Sequence, residues 1–198
     1  MRYQQQSLDF FGAGQRVVRV DSNFVAPKIT FASPVARSMT RFSPLVLEFY
    51  RNVRGAPDRA RRRIYISRGK ARLRRLLNEA ELESALTQAG FEIVDTATMS
   101  FSEQVAMFQG AEFIIGPHGA GLANMLFCSP GAKVIEINHD NFEEGPTCYA
   151  ALTDMFDLRY CLVIGKAVEH THSISRNCDF TVSPSTLQRA IARISGKH

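Results

Sequence analysis

The chain has 198 residues, 45% of them hydrophobic and 22% charged, a globular composition with room for one full domain plus an appendage but not for two doubly wound domains. No apolar run approaches the roughly 18 residues needed to cross a bilayer, and the start, MRYQQQSLDFFGAG, lacks the long apolar core of an export signal. The expectation is a soluble, unexported chain, cytoplasmic if the source is bacterial. The net charge of +5 comes from one cluster: between Arg51 and Arg75 eleven Lys or Arg stand against a single acid, Asp58, while the rest carries 13 basic and 18 acidic residues. Such a cluster attracts nucleic acid, an anionic membrane surface or a phosphorylated small molecule, since each offers phosphate to neutralise. For Arg59, Arg61, Arg62 and Arg63 a solvated linker is the alternative. Cys128, Cys148, Cys161 and Cys178 are widely spaced with no CxxC pair, which reads as free thiols in a reducing compartment.

In chain order, residues 1–60 are rich in Phe (Phe10, Phe11, Phe24, Phe31, Phe42, Phe49) and hold strand-like runs at Val17–Val20 and Lys28–Phe31 before a helix capped at Ser43-Pro44. Arg63–Ser67 then reads as a buried strand, followed by a helix over about Leu73–Ala89 that Gly90 ends. Phe91–Asp95 is the next strand, and Ser100-Phe101-Ser102-Glu103 has the form of a capping box opening a helix that Gly110 closes. A third strand, Glu112–Gly116, leads into a helix over Gly119–Phe127. Pro130-Gly131 turns into the strand Lys133–Ile137, a helix over Thr147–Phe156 precedes the strand Tyr160–Ile164, and Ser183-Pro184 starts the last helix with proline at its first position. Strands alternating with helices imply a parallel sheet covered on both faces. The expected fold class is α/β: residues 61–198 form a Rossmann-like doubly wound domain, and residues 1–60 a short α+β segment, either part of an amino-terminal lobe or a linker.

Ligands of such sheets bind beyond the carboxyl ends of the strands, near the point where strand order reverses. Pro117-His118-Gly119-Ala120-Gly121-Leu122-Ala123-Asn124 lies at such an end. Gly119 and Gly121 let backbone N–H groups approach a ligand, and the start of the following helix favours an anion. His118 has a donor for phosphate; Asn124 can bond a ligand or tie down the loop. Asn124 stands where a dinucleotide fingerprint needs its third Gly, and no Walker A loop is present, which argues against nicotinamide oxidoreduction and P-loop hydrolysis. His170 and His172, Asp154 and Asp157, and Glu143 and Glu144 are too sparse for a metal site. The expectation is metal-independent phosphate binding.

The series Ile64-Tyr65-Ile66-Ser67-Arg68, Arg74-Arg75-Leu76-Leu77-Asn78-Glu79, Gly90-Phe91-Glu92, Ser102-Glu103-Gln104, Gly116–Asn124 and Val134-Ile135-Glu136 resembles glycosyltransferase family 61 in order and spacing over residues 60–140. The first 60 residues resemble only the end of that family's amino-terminal half. The resemblance implies one lobe of a two-lobed GT-B-type enzyme, an inverting mechanism and a UDP-sugar donor such as UDP-xylose or UDP-N-acetylglucosamine, with no metal and no other cofactor. It further implies a glycan or polysaccharide acceptor and no nucleic-acid partner, and leaves peripheral membrane association and oligomerisation open. By motif, Arg68, Arg75, Asn78, His118 and Glu136 are implied at the donor beside Gly119, Ala120, Gly121, Leu122 and Asn124.

Within that frame Arg68, at the carboxyl end of the first strand, and Arg75, in the first helical turns, are assigned to the diphosphate. Pairing of Arg75 with Glu79 at i+4 is the alternative. Glu136, at a strand end, is set against the ribose hydroxyls or a nearby helix cap, and Asp95–Met99 against the uracil. Gln104 reads as structural and Glu103 as a cap, and no general base is named. The rival readings are a non-catalytic nucleotide-sugar-binding domain and a basic nucleic-acid-binding module.

Overall fold

The computed structural model describes residues 6–7, 9–11, 36–38, 41–54, 60–69, 71–142, 147–168 and 177–196. The strand-like runs at Val17–Val20 and Lys28–Phe31, and Arg59, Glu143, Glu144, His170 and His172, lie outside these residues. Strands β1 (Ala36–Ser38) and β2 (Arg41–Phe42) form an antiparallel ribbon, and helix α1 spans Pro44–Arg54. The main sheet comprises β3 (Arg62–Ile66), β4 (Glu92–Val94), β5 (Ala111–Pro117), β6 (Lys133–His139), β7 (Arg159–Ala167) and β8 (Phe180–Thr181). Between them lie α2 (Glu79–Gln88), α3 (Phe101–Gln109), 3₁₀ helices at Thr96–Thr98 and Ala120–Phe127, and α4 (Cys148–Met155), with α5 (Pro184–Ile194) at the end.

The sheet order is β4-β3-β5-β6-β7-β8. The first five strands are parallel, and β8 pairs antiparallel with β7. From β3 the chain moves outward to β4, then returns past β3 to β5. Strand order therefore reverses between β3 and β5, and in sheets of this kind ligands bind beyond the carboxyl ends at such a point.

Alternation along the strands feeds two cores, as the two-residue period of a sheet covered on both faces requires. Ile64 and Ile66 join Phe101, Phe108, Ile114, Leu122 and Phe127 on one face. Tyr65, Ile115, Ile135 and Ile137 meet Leu82, Leu86, Leu187 and Ile194 of α2 and α5 on the other. Val46, Tyr50 and Val53 of α1 pack on the first core.

The local signals at helix starts act as read. Ser100 and Glu103 form the reciprocal capping box of α3, and Pro184 follows Ser183 at the head of α5; Thr147, expected as the first helical residue, is instead the cap of α4. Two elements differ. The helix expected from Leu73 begins only at Glu79, because Arg74 adopts a left-handed φ of 55° and Leu76 bridges to Phe180. The segment after Gly119 is a 3₁₀ helix, whose poorer hydrogen-bond geometry gives a less regular array of dipoles than an α-helix. The four cysteines are free thiols. No helix among the described residues is long and apolar enough to cross a membrane.

Candidate functional site

The loops after β3 and β5 meet at the reversal point. Arg68 leaves β3 and reaches across to the second loop, where Nη1 donates to the His118 carbonyl at 2.6 Å; Nη2 donates to the Leu73 carbonyl at 3.4 Å. Burial lowers the pKa of this guanidinium from its ordinary value, and the neighbouring charge of Arg74 lowers it further. The loop is anchored below by Glu79, the first residue of α2 and only 7% exposed. Its Oε1 accepts from the Arg68 backbone N–H at 2.8 Å and from the Tyr65 hydroxyl at 2.9 Å. Burial raises the Glu79 pKa above the ordinary carboxylate value.

His118 is held on two sides. Its backbone N–H donates to the Ile137 carbonyl at 2.8 Å, and its ring Nδ1 lies 2.5 Å from Oε1 of Glu136. Thr147 and Tyr160 each donate a hydroxyl to Oε2 of the same carboxylate at 2.6 Å. With three hydroxyl or ring donors around it and no solvent exposure, Glu136 fixes the imidazole and also ties the cap of α4 to the site. The expected ribose contact is corrected: Glu136 lies within β6 rather than at its end, and both oxygens are already engaged. The helix-cap alternative matches its bond to Thr147. The His118 side chain retains 16% exposure and packs against the rings of Phe142 and Tyr149.

The glycines serve protein packing as much as ligand access. A Cβ at Gly119 would strike Nη1 of Arg68, and one at Gly121 would lie 2.9 Å from Cγ2 of Ile66 and 3.2 Å from Oγ1 of Thr96. Tyr149 donates to the Gly119 carbonyl at 2.6 Å, and burial pushes its hydroxyl above the ordinary phenol range. Leu122 is fully buried and Ala120 exposed. Asn124 ties down the loop, its Nδ2 donating to the Gly121 carbonyl and to Oε1 of Gln104. Gln104 donates in turn to the Thr96 carbonyl at 2.8 Å, as befits a structural residue. Beside this hinge opens a cleft lined by Thr96, Thr98, Met99, Glu103, Gly121 and Ala123.

Two implied donor residues bond protein groups. Arg75 pairs with Asp179, which has no exposed side chain, through Nε at 2.9 Å and Nη2 at 2.6 Å; its backbone N–H donates to the same carboxylate. It precedes α2, and its ion pair is with Asp179 rather than with Glu79. Asn78 exchanges hydrogen bonds with both backbone groups of Val182 and fastens the start of α2 to the segment before α5. The basic cluster is dispersed as well: Arg62 pairs with Glu92, and Arg63 covers the Phe91 ring at 4.2 Å while donating to the Ala89 carbonyl. Glu79, Thr147, Tyr149 and Tyr160 were missed as site residues. Only Thr147, at a helix start, carries a local sequence signal. Among the described residues no three His, Cys, Asp or Glu side chains gather as a metal-holding group.

The family profile Glycosyltransferase 61 matches residues 11–135. An EGF domain-specific O-linked N-acetylglucosamine transferase of Drosophila melanogaster is 30% identical over 60% of this chain and 23% of its own length. A protein O-linked-mannose beta-1,4-N-acetylglucosaminyltransferase 2 of Takifugu rubripes is 36% identical over 49% of this chain and 17% of its own length. A beta-1,2-xylosyltransferase of Arabidopsis thaliana is 34% identical over 35% of this chain and 15% of its own length. The chain thus spans less than a quarter of each of these relatives. Because the profile covers well over half of the chain, including β3, β5 and the loops that form the site, the chain belongs to the glycosyltransferase 61 family.

Proposed function

We propose that this chain carries the donor site of a glycosyltransferase, binding a UDP-sugar at the carboxyl ends of β3 and β5 for inverting transfer to a glycan, polysaccharide or glycoprotein acceptor. The observation that carries the reading is the junction of Arg68 with the His118 loop at the strand-order reversal, where the two residues bring cationic and hydrogen-bonding groups to a place suited to a diphosphate. In this reading residues 61–198 are a Rossmann-like lobe of a GT-B-type enzyme, and residues 1–60 belong to the other lobe or a linker. The uracil occupies the cleft beside Thr96–Met99, and Arg68 and His118 offset the charge of the leaving UDP without a metal.

Three carboxylates of these loops and strands are committed to structure. Glu79 anchors the β3 loop, Glu103 caps α3 and Glu136 holds His118. The base that an inverting transfer requires on the face opposite the leaving group therefore comes from outside this set, in our reading from the acceptor lobe. A non-catalytic nucleotide-sugar-binding module is the second reading, favoured by the structural commitment of these three carboxylates. The test has two stages. Thermal shift against UDP, UMP, UDP-xylose, UDP-N-acetylglucosamine and a DNA duplex should give stabilisation by UDP and its sugars, with UDP exceeding UMP and the duplex inert. Radiolabelled donors with a panel of sugar acceptors then test turnover: labelled product supports the transferase and overturns the module, while binding without product fits both the module and a transferase whose base lies on the acceptor lobe. Absence of any UDP effect would remove both.

A further inference from the structure

Two arginines, Arg68 and Arg74, stand on the loop that follows β3, and their surroundings differ. Arg68 is committed to the carbonyls of His118 and Leu73. Arg74 has a φ of 55°, a left-handed conformation that glycine adopts far more readily than arginine. Its Nε is buried with no hydrogen-bond partner among the described residues, a condition that native proteins rarely tolerate without a reason. The next residue leaves no choice of register: Arg75 turns its backbone N–H and its side chain onto Asp179, and Leu76 bridges to Phe180. The chain is thereby pinned to the β8 edge on one side of Arg74, while the Leu73 carbonyl pins it to Arg68 on the other. Arg74 directly follows Leu73, whose carbonyl Arg68 holds, so its backbone stands on the β3 loop, and its charge is felt at both Arg68 and Tyr149.

We propose that Arg74, rather than Arg75, is the second phosphate-binding cation of the site, and that it reads a diphosphate as distinct from a monophosphate. The inference rests on the donor-site reading above. Two like charges and an unpaired buried N–H are costly; a diphosphate offsets the charges and offers the guanidinium an acceptor, whereas a single phosphate held by Arg68 and His118 leaves Arg74 unmet. The strained backbone fits this role, since strain kept at a site is offset only when the residue is needed there.

The test compares Arg74→Gly with Arg74→Lys and with unaltered chain, measuring thermal stability and affinity for UDP, UMP and inorganic pyrophosphate by calorimetry. Glycine suits the left-handed backbone, so Arg74→Gly should melt no lower than the unaltered chain. It should lose at least about tenfold in UDP and pyrophosphate affinity, in line with a charge-assisted hydrogen bond, with UMP nearly unchanged. Arg74→Lys, which keeps charge without the planar fork, should fall between. Unchanged UDP affinity in Arg74→Gly, an equal loss for UDP and UMP, or a lower melting temperature without a ligand effect would each overturn the proposal. Pyrophosphate binding that depends on Arg74 in a chain indifferent to UDP would uphold the anion role and sink the UDP-sugar reading. If neither ligand binds the unaltered chain, both fall.

Discussion

Nδ1 of His118 and Oε1 of Glu136 lie 2.5 Å apart, the carboxylate sealed from solvent and the imidazole at the edge of the site. With the hydroxyls of Thr147 and Tyr160 both donating to the other oxygen, the carboxylate accepts from Nδ1–H. That selects the ring's tautomer and turns Nε2 into the nitrogen available for other contacts.

Replacing Glu136 with Gln should therefore act through His118. The amide N–H₂ meets Nδ1–H as donor against donor, so the ring must change tautomer or leave a buried group unsatisfied, at a cost of about 1–3 kcal/mol. Nitrogen chemical shifts of the imidazole report the tautomer, and denaturant unfolding the stability. A variant with unchanged stability and tautomer but weaker UDP binding would return Glu136 to direct ligand contact.

The glycines of the β5 loop separate packing from binding. Gly121→Val drives a branched side chain into Ile66 and Thr96, and overpacking of this kind typically costs about 1–3 kcal/mol; its melting temperature should fall together with its affinity. Gly119→Ala meets the tip of a flexible arginine instead. It should displace Arg68 from the His118 carbonyl and weaken UDP binding with a smaller loss of stability. Equal stability losses at the two positions would contradict this division.

Glu79 gives the fold a pH dependence of defined sign. Burial raises its pKa above the ordinary carboxylate value, so the folded state holds the proton more tightly than the unfolded state. The associated stability is fully present below the unfolded pKa and is lost as pH rises through the folded one. Glu79→Gln keeps an acceptor for Tyr65 and the Arg68 N–H but cannot ionise. Relative to this variant the unaltered chain should lose stability between acidic and neutral pH. Urea titrations of both at several pH values measure the difference, and a constant difference would mean that Glu79 stays equally ionised in both states.

The strands were legible because each combines an apolar run with flanking turn residues, and helix starts were legible where the cap lies within a few positions, as at Ser100 and Ser183. What escaped depends on residues distant in sequence. The late start of α2 follows from Asp179 and Phe180, 104 positions from Arg75 and Leu76, and no local signal distinguishes Arg74 from Arg75. The fold brings the Pro117–Asn124 loop and the end of β3 together, as the motif implies. The protein partners of Glu136 and Asn78 escaped it, because only the folded sheet brings Thr147, Tyr160 and Val182 near them, whereas the tie of Asn124 to its own loop was among the readings.

Arg68 is where structure and ligand binding are hardest to separate. Its Nη1 supports the His118 carbonyl and its Nη2 the Leu73 carbonyl, so truncation to Ala removes a loop brace as well as a cation. A charge-assisted hydrogen bond is worth about 1.5–3 kcal/mol, and Arg68→Ala should weaken UDP binding by that amount while also lowering the melting temperature. Arg68→Lys isolates the two effects. A lysine retains the charge but has no fork to span two carbonyls, so it should recover part of the UDP affinity, and more of it at low than at high salt, while the melting temperature stays low. Binding isotherms at two ionic strengths, set beside melting curves of the same samples, decide the matter. If Arg68→Lys recovers stability but no affinity, Arg68 braces the loop and the phosphate charge is met by other groups.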